Sequence, residues 1–127
     1  MNIFISQPMT GIGEEEILVT RERAIKNARE YFEYNEKDDD FHVLDSYVSD
    51  KLRELTENQS RRDEDSVNWD VFWLSQSLSH LAFADVVWLC DGWSNSIGCQ
   101  IERDVAECYG IPVIYPISDF EKEEHNG

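Results

Sequence analysis

Apolar positions in this chain change their spacing several times, and each change predicts an element. Residues 2–6 (NIFIS) form a short apolar run that stops at QPMTGIG (7–13), rich in turn formers, and predict a buried first strand. Over 14–34 the apolar residues Ile17, Leu18, Ala24, Ile25, Ala28 and Phe32 recur at helical spacing. The acids Glu14, Glu15 and Glu16 suit the positive end of that helix. NEKDDD (35–40) interrupts the pattern, and FHVLD (41–45) reads as a second strand. Residues 46–65 are polar and mixed, with a short helix expected in SDKLRELTEN (49–58) as a surface excursion. From 66 to 83, Val67, Val71, Leu74, Leu78 and Leu81 mark a further amphipathic helix. ADVVWLC (84–90) is continuously apolar, as expected of a strand covered on both faces. A last helix begins near Ser96, with Ile97, Ile101, Val105 and Cys108 or Tyr109 as its expected inward stripe. Gly110 is placed to cap it and Pro112 prevents its continuation. PVIYPI (112–117) is the last strand expected, and the chain closes on a polar tail.

Strands alternating with helices imply one α/β domain over residues 1–118, with 119–127 as the tail: a doubly wound parallel sheet of Rossmann or flavodoxin type. Four or five strands with helices on both faces are expected. In the order 2-1-3-4 the winding reverses between strands one and three, and ligands bind beyond the carboxyl ends of those strands. The loops brought there are 6–13 and 90–98, the most glycine- and serine-rich of the chain.

Charge narrows the partners. With 27 acids against 11 bases the net charge is −16, which repels a phosphate backbone and argues against nucleic acid or an anionic membrane as partner. A small nucleotide remains open, since it needs only local donors. The acidic runs at 14–16, 38–40, 63–65 and 121–124 read as solvated faces. Cys90, Cys99 and Cys108 form no C-x-x-C and have no histidine at ligand spacing, so reduced thiols and no metal site are expected. No basic stretch precedes a long apolar run and no stretch could span a bilayer, so the expected compartment is the cytoplasm. Trp69, Trp73 and Trp88 fit core stripes, whereas Trp93 falls in a loop.

The segment 91–110 (DGWSNSIGCQIERDVAECYG) holds the most informative acid. Glu102, near the start of a helix, could simply complement the dipole, an effect of ~0.3–1 kcal/mol. Its neighbours suggest more. FISQPMTG (4–11) resembles the first strand and loop, Y-[IF]-x-G-P-x-x-G, of the nucleoside 2-deoxyribosyltransferase superfamily. DGWSNSIGCQIERDVAECYGIPV (91–113) resembles its S-x-G-x-x-x-E … A … G-x-P-V signature, most nearly as in small phage and prophage members with G-W-x-x-S-x-G-x-x-x-E. Deoxynucleoside-monophosphate N-glycosidases share the Ser-x-Gly-x-x-x-Glu spacing. The likeness covers both ends of the domain and not 46–65.

The resemblance implies that Glu102 attacks C1′ of the sugar, forms a glycosyl-enzyme ester and releases the base. Water or a second base then resolves the ester, the logic of a retaining glycosidase. It places Ser6, Pro8, Met9, Thr10 and Gly11 on one wall, with Asp91, Trp93, Ser96 and Gly98 on the other. Gly98 would let the backbone approach the sugar, Ser96 would offer its hydroxyl and nearby N–H groups to a phosphate or sugar oxygen, and Trp93 would stack on the base. No cofactor is implied, the partner is a small nucleoside or nucleotide, and relatives that build sites at subunit contacts imply a homodimer or larger homo-oligomer. The chain departs from the superfamily in three places. Phe4 stands where a tyrosine usually orients the glutamate, Ser77 where an aspartate handles the leaving base, and Gln7 where glycine is frequent. Phe4 and Ser77 favour one alternative, a nucleotide-binding module without turnover; a second alternative is an acidic phage-type interaction protein.

Overall fold

In the computed structural model, residues 1–45, 47–59 and 67–117 are described. The expected tail, Ser66 as a helix start, and residue 46 with 60–65 of the polar excursion lie outside them. The order is β1 (Asn2–Ser6), α1 (Glu14–Tyr31), β2 (His42–Asp45), α2 (Asp50–Gln59), α3 (Trp69–Leu81), β3 (Val86–Leu89), α4 (Ile97–Cys108) and β4 (Val113–Ile114). A single turn of 3₁₀ helix, Trp93–Asn95, precedes α4. The four strands pair in the order β2-β1-β3-β4, all parallel. This is the doubly wound Rossmann- or flavodoxin-like architecture, with β1 and β3 adjacent at the reversal of winding.

The pleat of β1 sorts its side chains to the two faces of the sheet. Ile3 and Ile5 are fully buried with Ala24 and Ala28 of α1, Phe41, Val86 and Cys90. Phe4 is buried on the opposite face with Leu81 of α3, Val87, Leu89 and Ala106 of α4. So α1 covers one face while α3 and α4 cover the other. Ser6, two residues beyond Phe4, faces the α3/α4 side at the carboxyl end of the strand and is itself fully buried.

Helix ends follow local chemistry. Asn68 caps α3, its side chain accepting from Val71 N. Ser96 caps α4, accepting from Cys99 N at 3.3 Å. Gly110 lies at φ 78° and closes α4, as expected, with Ile111 N bonding Ala106 O at 2.8 Å. The same closure ends α1 at Tyr31, short of the expected Tyr34: Glu33 takes φ 62° and Tyr34 N bonds Arg29 O at 2.8 Å. The last strand is also shorter than PVIYPI, because β4 pairs only with β3 through Val113 and Ile114.

The inward face of α4 corrects the expected stripe in part: Val105 packs against the core and Ile101 is half-buried, as expected. Its buried residues are Cys99, Glu102 and Ala106, whereas Ile97 is 77% exposed and Cys108 and Tyr109 face solvent. Small residues at 99 and 106 let the helix lie close to the sheet, and that rotation carries Glu102 inward with them.

Candidate active site

The β1 and β3 ends are tied together just where the winding reverses. Cys90 N donates to Ser6 O at 2.9 Å. Gly92 takes φ 85°, and a Cβ there would sit 3.5 Å from Pro8 Cγ, so the loops after β1 and β3 touch. Between them, α2, α3 and the start of α4 lies a cavity of about 470 Å³ with Glu102 on its wall. That volume is in the range of small-molecule sites.

Glu102 is 4% exposed. Ser6 Oγ donates to its Oε1 at 2.8 Å, and Ser77 Oγ donates to its Oε2. Each carboxylate oxygen therefore holds a hydroxyl from a different element, β1 and α3. Among the described residues no cation lies within ion-pair distance. Burial pushes the carboxyl above its ordinary range, and the Ser77 and Ser6 hydroxyls pull partly back. Cys99 beside it is also raised, by burial first, and Cys90 at the β3 end is raised to about 12, again chiefly by burial. These thiols stay protonated and serve as packing.

Of the expected site residues, Pro8, Met9, Thr10, Ser96, Gly98 and Glu102 line this cavity. A Cβ at Gly98 would meet nothing within 4 Å, so glycine leaves the floor open there. Ser6 contributes through its bond to Glu102. Gly11 lies in the turn beyond, at φ 77°, and does not line the cavity. Asp91 borders a different depression of about 790 Å³, beside α1 and β4. Trp93 likewise stands off the cavity wall. It packs edge-on to Tyr115 at 5.6 Å, and the Arg103 guanidinium lies 5.1 Å from its ring centroid.

Residues not expected as substrate contacts complete the wall. Ser77 supplies the second donor to Glu102, in the place where the superfamily pattern has an acid. Phe4 is core, and the hydroxyl reaching Glu102 from β1 comes instead from Ser6 on the same strand face. Trp73, Arg53 and Asp70 line the cavity too. A signal for the first existed: Trp73 and Ser77 are four residues apart, so one face of α3 presents both. Nothing in the sequence marked Arg53, which lies in the stretch the likeness leaves uncovered.

Among the described residues no cluster of His, Cys, Asp or Glu is placed to hold a metal ion, and no helix is long and apolar enough to cross a membrane. A family model described as a domain of unknown function (DUF4406) matches residues 1–115. No curated protein and no solved structure matches the chain significantly.

Proposed function

The chain belongs to the DUF4406 family, and we propose that it is an N-glycosyl hydrolase or transferase acting on a (deoxy)nucleoside or its 5′-monophosphate, with Glu102 as nucleophile. The observation that carries this is a buried carboxylate on a cavity wall, both oxygens oriented by hydroxyls and neither neutralised by a cation among the described residues. A carboxylate meant for an ion pair would have one. This one is positioned, desolvated and open to the cavity, which suits attack on a centre that develops positive charge.

In the first step a Glu102 oxygen bonds to C1′ as the C1′–N bond breaks, its electron pair leaving with the base. We assign the proton taken up by the base to Asp70, the other carboxylate on the cavity wall. Ser6 and Ser77 keep the attacking group in one rotamer, so little orientation is lost at the transition state. In the second step water or another base attacks C1′, its proton passes back to the now ionised Asp70, and Glu102 leaves as the free carboxylate. Val71, Leu74 and Ile97 give the cavity an apolar side suited to a base.

The test is chromatographic detection of free base after incubation with a panel of deoxynucleosides and their 5′-monophosphates. Wild type should release base, and Glu102→Gln should lower the rate by about 10³-fold or more. Unchanged release in the variant would overturn the assignment. Tight binding without turnover in wild type would leave the module reading in its place.

A further inference from the structure

Two residues of the cavity wall carry a buried polar atom with no hydrogen-bond partner among the described residues: Gln7 Oε1 and Arg53 Nε. Gln7 is 4% exposed, and its amide is fixed because Nε2 donates to Ile17 O at 3.0 Å. Its oxygen is therefore a buried acceptor with no donor among the described residues.

Arg53 is the only basic residue on the wall among the described residues. Its guanidinium lies 5.2 Å from the Trp73 ring centroid, and the Trp73 indole N–H donates to Glu57 at 3.3 Å. Its helix is anchored at the start, where Glu14 Oε1 accepts from Tyr47 Oη at 2.5 Å and from Asp50 N at 3.4 Å. Among the described residues no carboxylate lies within ion-pair distance of Arg53. Among the described residues this guanidinium thus rests on an indole at the cavity wall with no carboxylate partner, which suits it to an anionic ligand. Guanidinium donors match the oxygens of a phosphate in pairs. Ser96 and the first turn of α4 line the same cavity and add donors of the same preference.

We propose that Arg53 is the specificity-determining residue of this cavity, binding the phosphate of a nucleoside 5′-monophosphate, so that the monophosphate and not the free nucleoside is the ligand. This rests on the reading of the cavity as a nucleoside site, but it does not require turnover. The decisive measurement is equilibrium binding by calorimetry at fixed ionic strength, using full-length protein carrying Glu102→Gln so that no probe is consumed. Probes are a 2′-deoxynucleoside 5′-monophosphate, the matching deoxynucleoside and inorganic phosphate.

The monophosphate should bind about 10–100-fold more tightly than the deoxynucleoside, the worth of a charge-assisted contact. Adding Arg53→Gln should collapse that ratio towards one, and Arg53→Lys should restore part of it. A ratio near one before Arg53 is changed would overturn the proposal, as would a ratio that survives Arg53→Gln. A merely structural Arg53 would weaken both ligands together and leave the ratio standing, which also overturns it. Inorganic phosphate binding as tightly as the monophosphate would show an anion site without nucleoside recognition and would also overturn it. If wild type releases no base while the Arg53-dependent ratio holds, the catalytic reading falls and this one stands.

Discussion

Replacing Ser77 by alanine removes one of the two hydroxyls that hold Glu102, and the size of the loss should depend on pH in a fixed direction. In the wild type Ser77 Oγ donates to Oε2 of a carboxyl that is 4% exposed. When Glu102 is ionised, the lost bond is one to a charged group, worth about 1.5–3 kcal/mol; when it is protonated, the loss is that of a neutral bond, about 0.5–1.5 kcal/mol. Burial already raises the carboxyl and Ser77 pulls it down, so the variant raises it further. A group raised above its unfolded value contributes stability that is fully present below the unfolded value and lost as pH climbs through the folded one. The variant holds its proton to higher pH and loses more in that climb. Its deficit against wild type should therefore grow by about 1–2 kcal/mol between a pH below the ordinary carboxylate range and one above the raised folded value. Urea unfolding followed by the fluorescence of the four tryptophans reads this directly, since total stabilities of about 5–15 kcal/mol leave such a change measurable. The control is the same substitution in Glu102→Gln, whose amide can pair with a hydroxyl in either sense. There the deficit should be flat with pH. An equal deficit at both pH values in the wild-type background, or an equal slope in the Gln background, would refute the account of Glu102 as a buried, hydroxyl-held acid.

The acid limb of kcat/KM for base release should report Glu102 and fall above the ordinary carboxylate range, because burial raises that group and the nucleophile must be ionised; a limb at the usual carboxylate position would contradict this. Of the three thiols only Cys108 is exposed, Cys90 and Cys99 being buried, so a disulfide reagent near pH 8 should titrate one fast equivalent in the native protein and three after denaturation. Three fast equivalents would show that the β3 end and the α4 face are open.

Local chemistry was the readable part of this chain. Ser96 and Gly110 are caps whose geometry needs only their neighbours, and they stand where expected. Runs such as 2–6 and 86–89 announce strands because both faces are covered. The meeting of the two loops followed from topology alone. The α4 stripe was not readable from hydrophobicity, which ranks Ile97 and Ile101 above Cys99 and Glu102. The helix instead chose the small residues that allow close packing, and the exposed Ile97 became cavity wall. Ser77 was marked only as a missing aspartate; its bond to Glu102, 25 residues further on, exists only once the fold brings the two together. Trp73 read as core for the same reason, since an aromatic facing a cavity and one facing a sheet share one spacing.

The energetics of Glu102 separate a working acid from an incidental one. An acid kept for the helix dipole belongs in the first turn, where the effect is concentrated and costs no desolvation. Glu102 lies in the second turn of α4, beneath the surface, where Ile97 and Gly98 have already passed. Taking a carboxylate out of water without a counter-charge costs several kcal/mol, offset only in part by hydrogen bonds. Here the offsets come from Ser6, 96 residues away in sequence, and from Ser77, so three elements must converge before the burial is tolerable. A leucine or glutamine at 102 would fill the position with no such demand. Stability alone does not select that arrangement, whereas the reaction proposed for Glu102 would.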